Sequence, residues 1–544
     1  MRVIRLAPVA SRNARPTHAV VLLMGLLSLA LAIPAQTRRA SGTAVDFKMA
    51  GTVVGAPGGQ AVAGAEVSIF VAASNQVEQR FVTSSDGRFV FGKLKPGKYL
   101  LMAAKNGYPQ QPYQAHGQYS TAVAVGPGLI SEGLLFEIHP GATITGTLMD
   151  DQNEPIRDAE VRLFRSEQET GIPLNVFFNQ ASPDDRGQYR FSRLPPGKYF
   201  VAVSARPWYA ANGMDPRGKT GVRSALDMAY PITYYGGSTD PGAATPIVLK
   251  DGDRASADIA LFPVPSLHIR VHTHQIVGTN VQLRQPVFST LFNPPMETNQ
   301  AKDIVDIHGL APGHFLLDFQ TGGDTPVDHS RALDLTGDIE VDATDAPALS
   351  QIRGTATLRG EERVPVAAMI RLSNLQSGLQ FDTRISRKKE FQFQAGIVPG
   401  TYSISALSPA NVVIRSISAA GAGVTGNNVE VRGAGAVRLA VILDHGVRVN
   451  GIAQRNGKPV SGAMVVLVPN DSTHNLSLFR RDQSDSDGTF SLYNVLPGTY
   501  TLLALENSWD VEWANAAVLS RYLKAGKVVQ VRPGEGQRVE VQAQ

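Results

Sequence analysis

Three histidines at alternating spacing offer the most direct chemistry in this sequence. His268, His272 and His274 lie in Leu267-His268-Ile269-Arg270-Val271-His272-Thr273-His274. Side chains alternate along a strand, so all three would share one face with Arg270 between them. Neutral imidazoles two residues apart can ligate zinc or copper. The fixed charge of Arg270 and the lack of an adjacent carboxylate point instead to a solvated face backed by Leu267, Ile269 and Val271. No recognised zinc spacing accompanies them, so no metal is expected. Asp482, Asp485, Asp487 and Gly488 suggest a calcium loop. With Asp485 and Asp487 at ligand positions three and five, however, Gln483 and Asn494 stand where the first and last acids belong. An Asp-Gly turn accounts for these residues. Gly-x-Ser-x-Gly, His-Glu-x-x-His and a phosphate-cradling glycine loop are all missing, and the chain has 0 Cys. The reading is a non-enzyme with no catalytic residues and no cofactor.

Aromatic side chains remain as candidates. Residues 205–246 hold Trp208, Tyr209, Tyr230, Tyr234 and Tyr235 among Gly, Pro and Asp, and Trp509, Trp513 and Tyr522 form a second group. These two segments contain all 3 Trp of the chain. Loop rings stack on sugars or anchor protein partners, or else cover a small core of their own loop. The ligand-binding candidates are Trp208, Tyr209, Tyr234, Tyr235, Trp509 and Trp513.

The elements that must position these loops repeat. Pro-Gly-x-aromatic occurs at Pro96–Tyr99, Pro196–Tyr199, Pro312–Phe315, Pro399–Tyr402 and Pro497–Tyr500, about 100 residues apart. Pro-Gly predicts a type II turn, with the aromatic opening a strand. Upstream of it come Asp86-Gly87-Arg88-Phe89, Asp185-Arg186-Gly187-Gln188-Tyr189 and Asp487-Gly488-Thr489-Phe490, each a tight turn entering an alternating strand. Opening pairs such as Gly51-Thr-Val-Val with Ala65-Glu-Val-Ser-Ile-Phe, and closing segments such as Val528-Val-Gln-Val with Val539-Glu-Val, complete each unit. Six or seven short strands per unit is the arithmetic of an antiparallel sandwich. Outside the leader, Trp509 to Leu523 is the one candidate helix longer than two turns.

Residues 1–36 read as a signal peptide. Arg2, Arg5, Arg12 and Arg15 precede an apolar run from Ala19 to Ile33, too short to span a bilayer, and then Ala30-Leu31-Ala32. Those four arginines account for the whole formal charge of +4, so the remainder is balanced and nucleic acid is not an expected partner.

The pattern G-x-V, G-A-x-V, D-G-x-F, P-G-x-Y resembles the carboxypeptidase regulatory-like domain. The resemblance implies an all-β, transthyretin-like fold close to starch-binding-like modules and to B-type repeats of Gram-positive adhesins. It implies a tandem array of about five small seven-stranded antiparallel β-sandwiches after the signal peptide. The expected modules are 47–139, 140–265 with the aromatic insertion 205–246, 266–345 in degenerate form, 346–445 and 446–544. Tyr234-Tyr235-Gly236-Gly237-Ser238-Thr239-Asp240-Pro241 resembles linkers of exported acidobacterial proteins. In that family such modules are accessory. The chain is accordingly expected to be an exported, extracytoplasmic binding protein, periplasmic or cell-surface. Polysaccharide or envelope proteins would be its partners, engaged through residues 205–246 and 505–524, with no transmembrane segment after the leader. A ligand-free stalk, or an accessory subunit of a hydrolase or outer-membrane transporter, are the alternatives.

Overall fold

The computed structural model describes residues 46–167, 174–211, 224–273, 280–301, 303–320, 328–343, 349–365, 367–393, 396–408, 411–433, 435–534 and 536–544. The leader and His274 lie outside the described residues. Among the described residues nearly all elements are strands, with one α-helix, Ala516–Leu523, whose first turn is capped by Asn515.

Among the described residues strand pairing falls into five sets, each of two facing sheets (modules 1 to 5 below), with a further two-stranded sheet of Met228–Ala229 and Val264–Pro265. In the first, Phe47–Gly55 lies between Arg88–Leu94 and Leu134–Ile138. The facing sheet holds Gln76–Val82, Glu66–Val71 and Gly97–Lys105, with Tyr108–Pro112 and Val123–Val125 on its edge. The last set repeats this order, Val447–Arg455 lying between Thr489–Val495 and Gln537–Gln542. A buried cluster fills each pair, and alternate residues of the strands supply it.

One pairing departs from the antiparallel expectation. In every set the closing strand runs parallel to the opening one, as in Gly51 opposite Leu134 and Gly451 opposite Val539. The closing strand crosses over from the facing sheet instead of turning back through a hairpin, so it enters from the same end.

The repeated motifs have local causes. A Cβ on Gly51, Gly146, Gly354 or Gly451 would lie 2.2–2.5 Å from a carbonyl oxygen of the parallel strand. It would also collide with the ring of Phe89, Tyr189, Phe391 or Phe490 from the neighbouring strand, 2.2–2.8 Å away. The glycine of G-x-V thus makes room for the aromatic of D-G-x-F. Module 3 has neither residue: Val271 faces Val305 at the equivalent register, both buried, and two medium side chains replace a glycine and a ring. The Pro-Gly step is not a type II turn. Its glycine opens a strand, and the left-handed residue sits earlier, at Lys93, Arg193, Gly309 or Asn494, φ 54–80°. The following tyrosine locks the corner by donating its hydroxyl to the carbonyl four residues back, as Tyr99 to Lys95 (2.9 Å) and Tyr500 to Leu496 (2.8 Å).

Candidate binding surfaces

The histidine face is not merely solvated. Register places Arg270 opposite Glu340 on one side and Asp306 on the other, so carboxylates from two neighbouring strands border it. His272 Nε2 meets Glu340 at 3.0 Å, and Arg270 reaches the same carboxylate at 2.8 Å. His268 Nε2 meets Asp227 at 3.0 Å and its Nδ1 meets Asp306 at 3.5 Å. The Asp306 carboxylate, then Asp227, hold His268 above its ordinary pKa against burial. Burial pushes Asp306 upward, but His268 outweighs it and the carboxyl lies below its usual value. His308, fully buried beside them, is held below its ordinary value by burial. Asp227 belongs to the preceding module, so this cluster joins modules 2 and 3. Among the described residues no three His, Asp or Glu side chains converge as a metal site.

The aromatic candidates separate sharply. Trp208 is 79% exposed. Half-buried Tyr209 stands edge-on beside it, ring centres 5.8 Å apart. Tyr234 is 2% exposed. It packs with Phe164, Phe200 and Val287 against Phe288 and Phe292, a cluster that binds module 2 to module 3. Tyr235 is half-buried against the module 2 core. Trp513 is 4% exposed, in a cluster with Phe479 and Leu519 beneath the helix. No sugar ring can stack on Tyr234 or Trp513 while these clusters hold, because large rings find more burial among apolar neighbours than at the surface.

Trp509 lies at a junction between the first and last modules. Its ring stacks on His116, centres 4.5 Å apart and planes 8° from parallel. The Arg481 guanidinium lies over Tyr119 at 4.7 Å and Trp513 at 4.5 Å. Around this stack, Ala122 N–H donates to Asp485 Oδ1 (2.9 Å) and Ser486 N–H donates to the Ala122 carbonyl (3.0 Å). Gln483 donates to Gln114 and Thr121, and Lys98 pairs with Asp485 and Asp487. The acidic turn that resembled a calcium loop is therefore both a turn and a docking element. Each module also touches the next: His139 with Asp251, Arg206 with Glu297, Ser330 with Gly396, and Asn427 with Ser477. The fifth contact returns to the first module, and the array folds back on itself.

Family comparison finds the carboxypeptidase regulatory-like domain at residues 48–127 and 143–227. The chain carries two carboxypeptidase regulatory-like domains. They fall within the first two sandwiches, include the Asp86-Gly87 and Asp185-Arg186-Gly187 turns, and end before each closing strand. This domain type is non-catalytic. A search of curated proteins returned no match. Among solved structures, the shaft pilin SpaA of Lactobacillus rhamnosus GG is 11% identical, covering 40% of this chain and 98% of the pilin at a TM-score of 0.20. The Bacillus anthracis TIE protein is 10% identical over 75% of this chain and 76% of its own, TM-score 0.17. A minor pilin of Streptococcus agalactiae is 14% identical over 40% and 97%, TM-score 0.19. Superpositions at these scores transfer neither arrangement nor function. No helix among the described residues is long and apolar enough to cross a membrane.

Sequence reasoning selected Trp509 but not the residues that hold it. His116 and Arg481 carry no motif, Lys98 fills the variable position of the Pro96–Tyr99 motif, and no periodicity relates the three.

Proposed function

We propose that this is an exported, non-catalytic multi-module binding protein of the bacterial envelope, with polysaccharide as its ligand at the loop that carries Trp208 and Tyr209. The observation that carries the reading is the exposure of Trp208. A 79% exposed indole, edge-on to a tyrosine, stands on a loop outside the sandwich repeat. Of the other two tryptophans, Trp513 is buried beneath the helix of the last module and Trp509 is stacked into the junction with the first. An exposed indole edge-on to a tyrosine presents an amphipathic ring pair, which suits the apolar face of a sugar. The domain type supports a non-enzymatic role. The stalk alternative fits poorly with contact between the first and last modules, since a spacer gains its reach by keeping its ends apart.

Affinity electrophoresis of the mature chain through gels containing starch, xylan or peptidoglycan tests the reading. Retardation in at least one gel, lost in Trp208→Ala and kept in Trp509→Phe, is the expected result. Unretarded migration in every gel removes the polysaccharide reading and leaves a protein partner to be found by cross-linking in the envelope.

A further inference from the structure

Module 4 differs from its neighbours in charge. Residues 346–445 contain eleven Arg and Lys against six Asp and Glu, although the chain after its leader is balanced. The excess gathers beside a solvent-open cleft of about 1690 Å³. Its floor is the outer face of a four-stranded sheet ordered Glu390–Gln392, Ser350–Leu358, Gly435–His445, Val412–Ala420. Its far lip is Arg284 and Ser289–Leu291, from module 3.

Register places Arg353 directly opposite Arg438 on adjacent parallel strands, roughly 5 Å apart at the backbone. Gln392 and Ala420 continue the row to either side, and neither neutralises it. Arg384 lines the same cleft from the facing sheet. Like charges directly opposite one another destabilise a sheet unless a counter-charge lies between them. Among the described residues no carboxylate pairs with Arg353, Arg384 or Arg438. Asp382 is taken by Arg371 at 2.6 Å, and Arg284 is taken by Asp318. The nearest acid on the floor, Glu390, sits one row away opposite Thr355.

The turn at the cleft edge gives a second, independent sign. Modules 1, 2, 4 and 5 build it with the same two backbone hydrogen bonds, closed by Gly87, Gly187, Lys389 and Gly488. All four residues have left-handed φ, between 67° and 75°. Where three modules use glycine and an acid, module 4 reads Ser386-Arg387-Lys388-Lys389. A lysine in that conformation is strained relative to glycine. Folding alone favours the residues found in the other modules, whereas a cationic rim favours these.

We propose that this cleft binds an acidic polysaccharide, with its carboxylates seated between Arg353, Arg438 and Arg384 and its chain running past the Arg387-Lys388-Lys389 turn. Guanidinium forks match carboxylates bidentately, and a paired-arginine row supplies repeated forks along an extended polymer. Single-stranded nucleic acid needs exposed rings for base stacking. The rings lining this cleft, Phe381, Phe391 and Phe393, are each at most 6% exposed. The site lies on another module from Trp208 and stands or falls without it.

Retardation of the full mature chain in gels of polygalacturonate, with dextran as the neutral control, tests the proposal. The expected result is retardation by polygalacturonate only, weakening as salt is raised, unchanged in Trp208→Ala, and reduced at least tenfold in Arg353→Gln/Arg438→Gln. Because that double variant removes a repulsion, its melting temperature should match or exceed that of the parent, which separates lost binding from lost folding. Full retention of affinity in the double variant, equal retardation by dextran, or tighter binding of single-stranded DNA than of polygalacturonate would each overturn the proposal.

Discussion

Asp485 offers the clearest handle on the junction between the first and last modules. The residue is 7% exposed, and its carboxylate accepts from Ala122 N–H at 2.9 Å and pairs with Lys98. Asp485→Asn keeps the shape and leaves an amide oxygen for Ala122, so the loss is the charge opposite Lys98. Hydrogen bonds to charged groups contribute about 1.5–3 kcal/mol. Asp487, 3.5 Å from Lys98, retains part of the attraction, which places the net loss near 2 kcal/mol. That shifts the docked-to-undocked ratio roughly 30-fold. The chain has 0 Cys, so two introduced at exposed Val77 and Val528 carry spin labels at unique sites in modules 1 and 5. Pulsed dipolar spectroscopy should show one narrow distance distribution for the parent and a broad or second population for Asp485→Asn. An equally narrow distribution in the variant would refute the assignment of docking to this carboxylate. A broad one in the parent would refute the docking itself.

Other outcomes follow from single positions. Lys389→Gly should raise stability to denaturant by about 0.5–1 kcal/mol, because relief of the left-handed strain outweighs the added chain entropy of glycine. Gly451→Ala should destabilise module 5 by at least about 2 kcal/mol, seen as an early step in thermal unfolding, since its Cβ would meet the Phe490 ring at 2.2 Å and the Val539 carbonyl at 2.5 Å. The two histidines of the module 2–3 junction should respond oppositely to pH. His268 has a raised pKa, so its stabilisation is complete below the ordinary value of about 6.5 and fades as pH rises through the folded value. His268→Asn should therefore cost more at about pH 5 than at about pH 8.5. His308 has a lowered pKa, so its neutral ring loses stability as pH falls below about 6.5, and His308→Asn should cost less at about pH 5 than at about pH 8. Melting temperatures across that range read both.

The repeat was legible because each of its parts is local. A turn, a corner and an alternating strand leave their signatures within about ten residues. The glycine of G-x-V was visible as a motif, but its cause lay in the ring of Phe89 or Phe490 on another strand, and that required the pairing. Parallel closure left no trace, because a crossover strand has the same alternation as a hairpin strand. The junction of Lys98 and His116 with Asp485 and Trp509 joins side chains far apart in the sequence, where no spacing rule operates. Tyr234 and Trp513 were candidates by type and composition, yet apolar side chains from neighbouring strands and the helix enclose them. The basic run Arg384 to Lys389 was plain in the sequence but disappeared into the net charge of the whole chain. Only strand register brought Arg353 and Arg438 beside it.

The account depends on the chain folding back so that its last module meets its first, because that separates a binding platform from a spacer. Small-angle X-ray scattering of residues 37–544 measures this directly. Five sandwiches closed on themselves predict a radius of gyration of about 30 Å, whereas the same modules end to end predict about 50 Å. A value near the lower figure, independent of concentration, is the expected result. A value near the upper figure, with the scattering profile of a rod, would contradict the account.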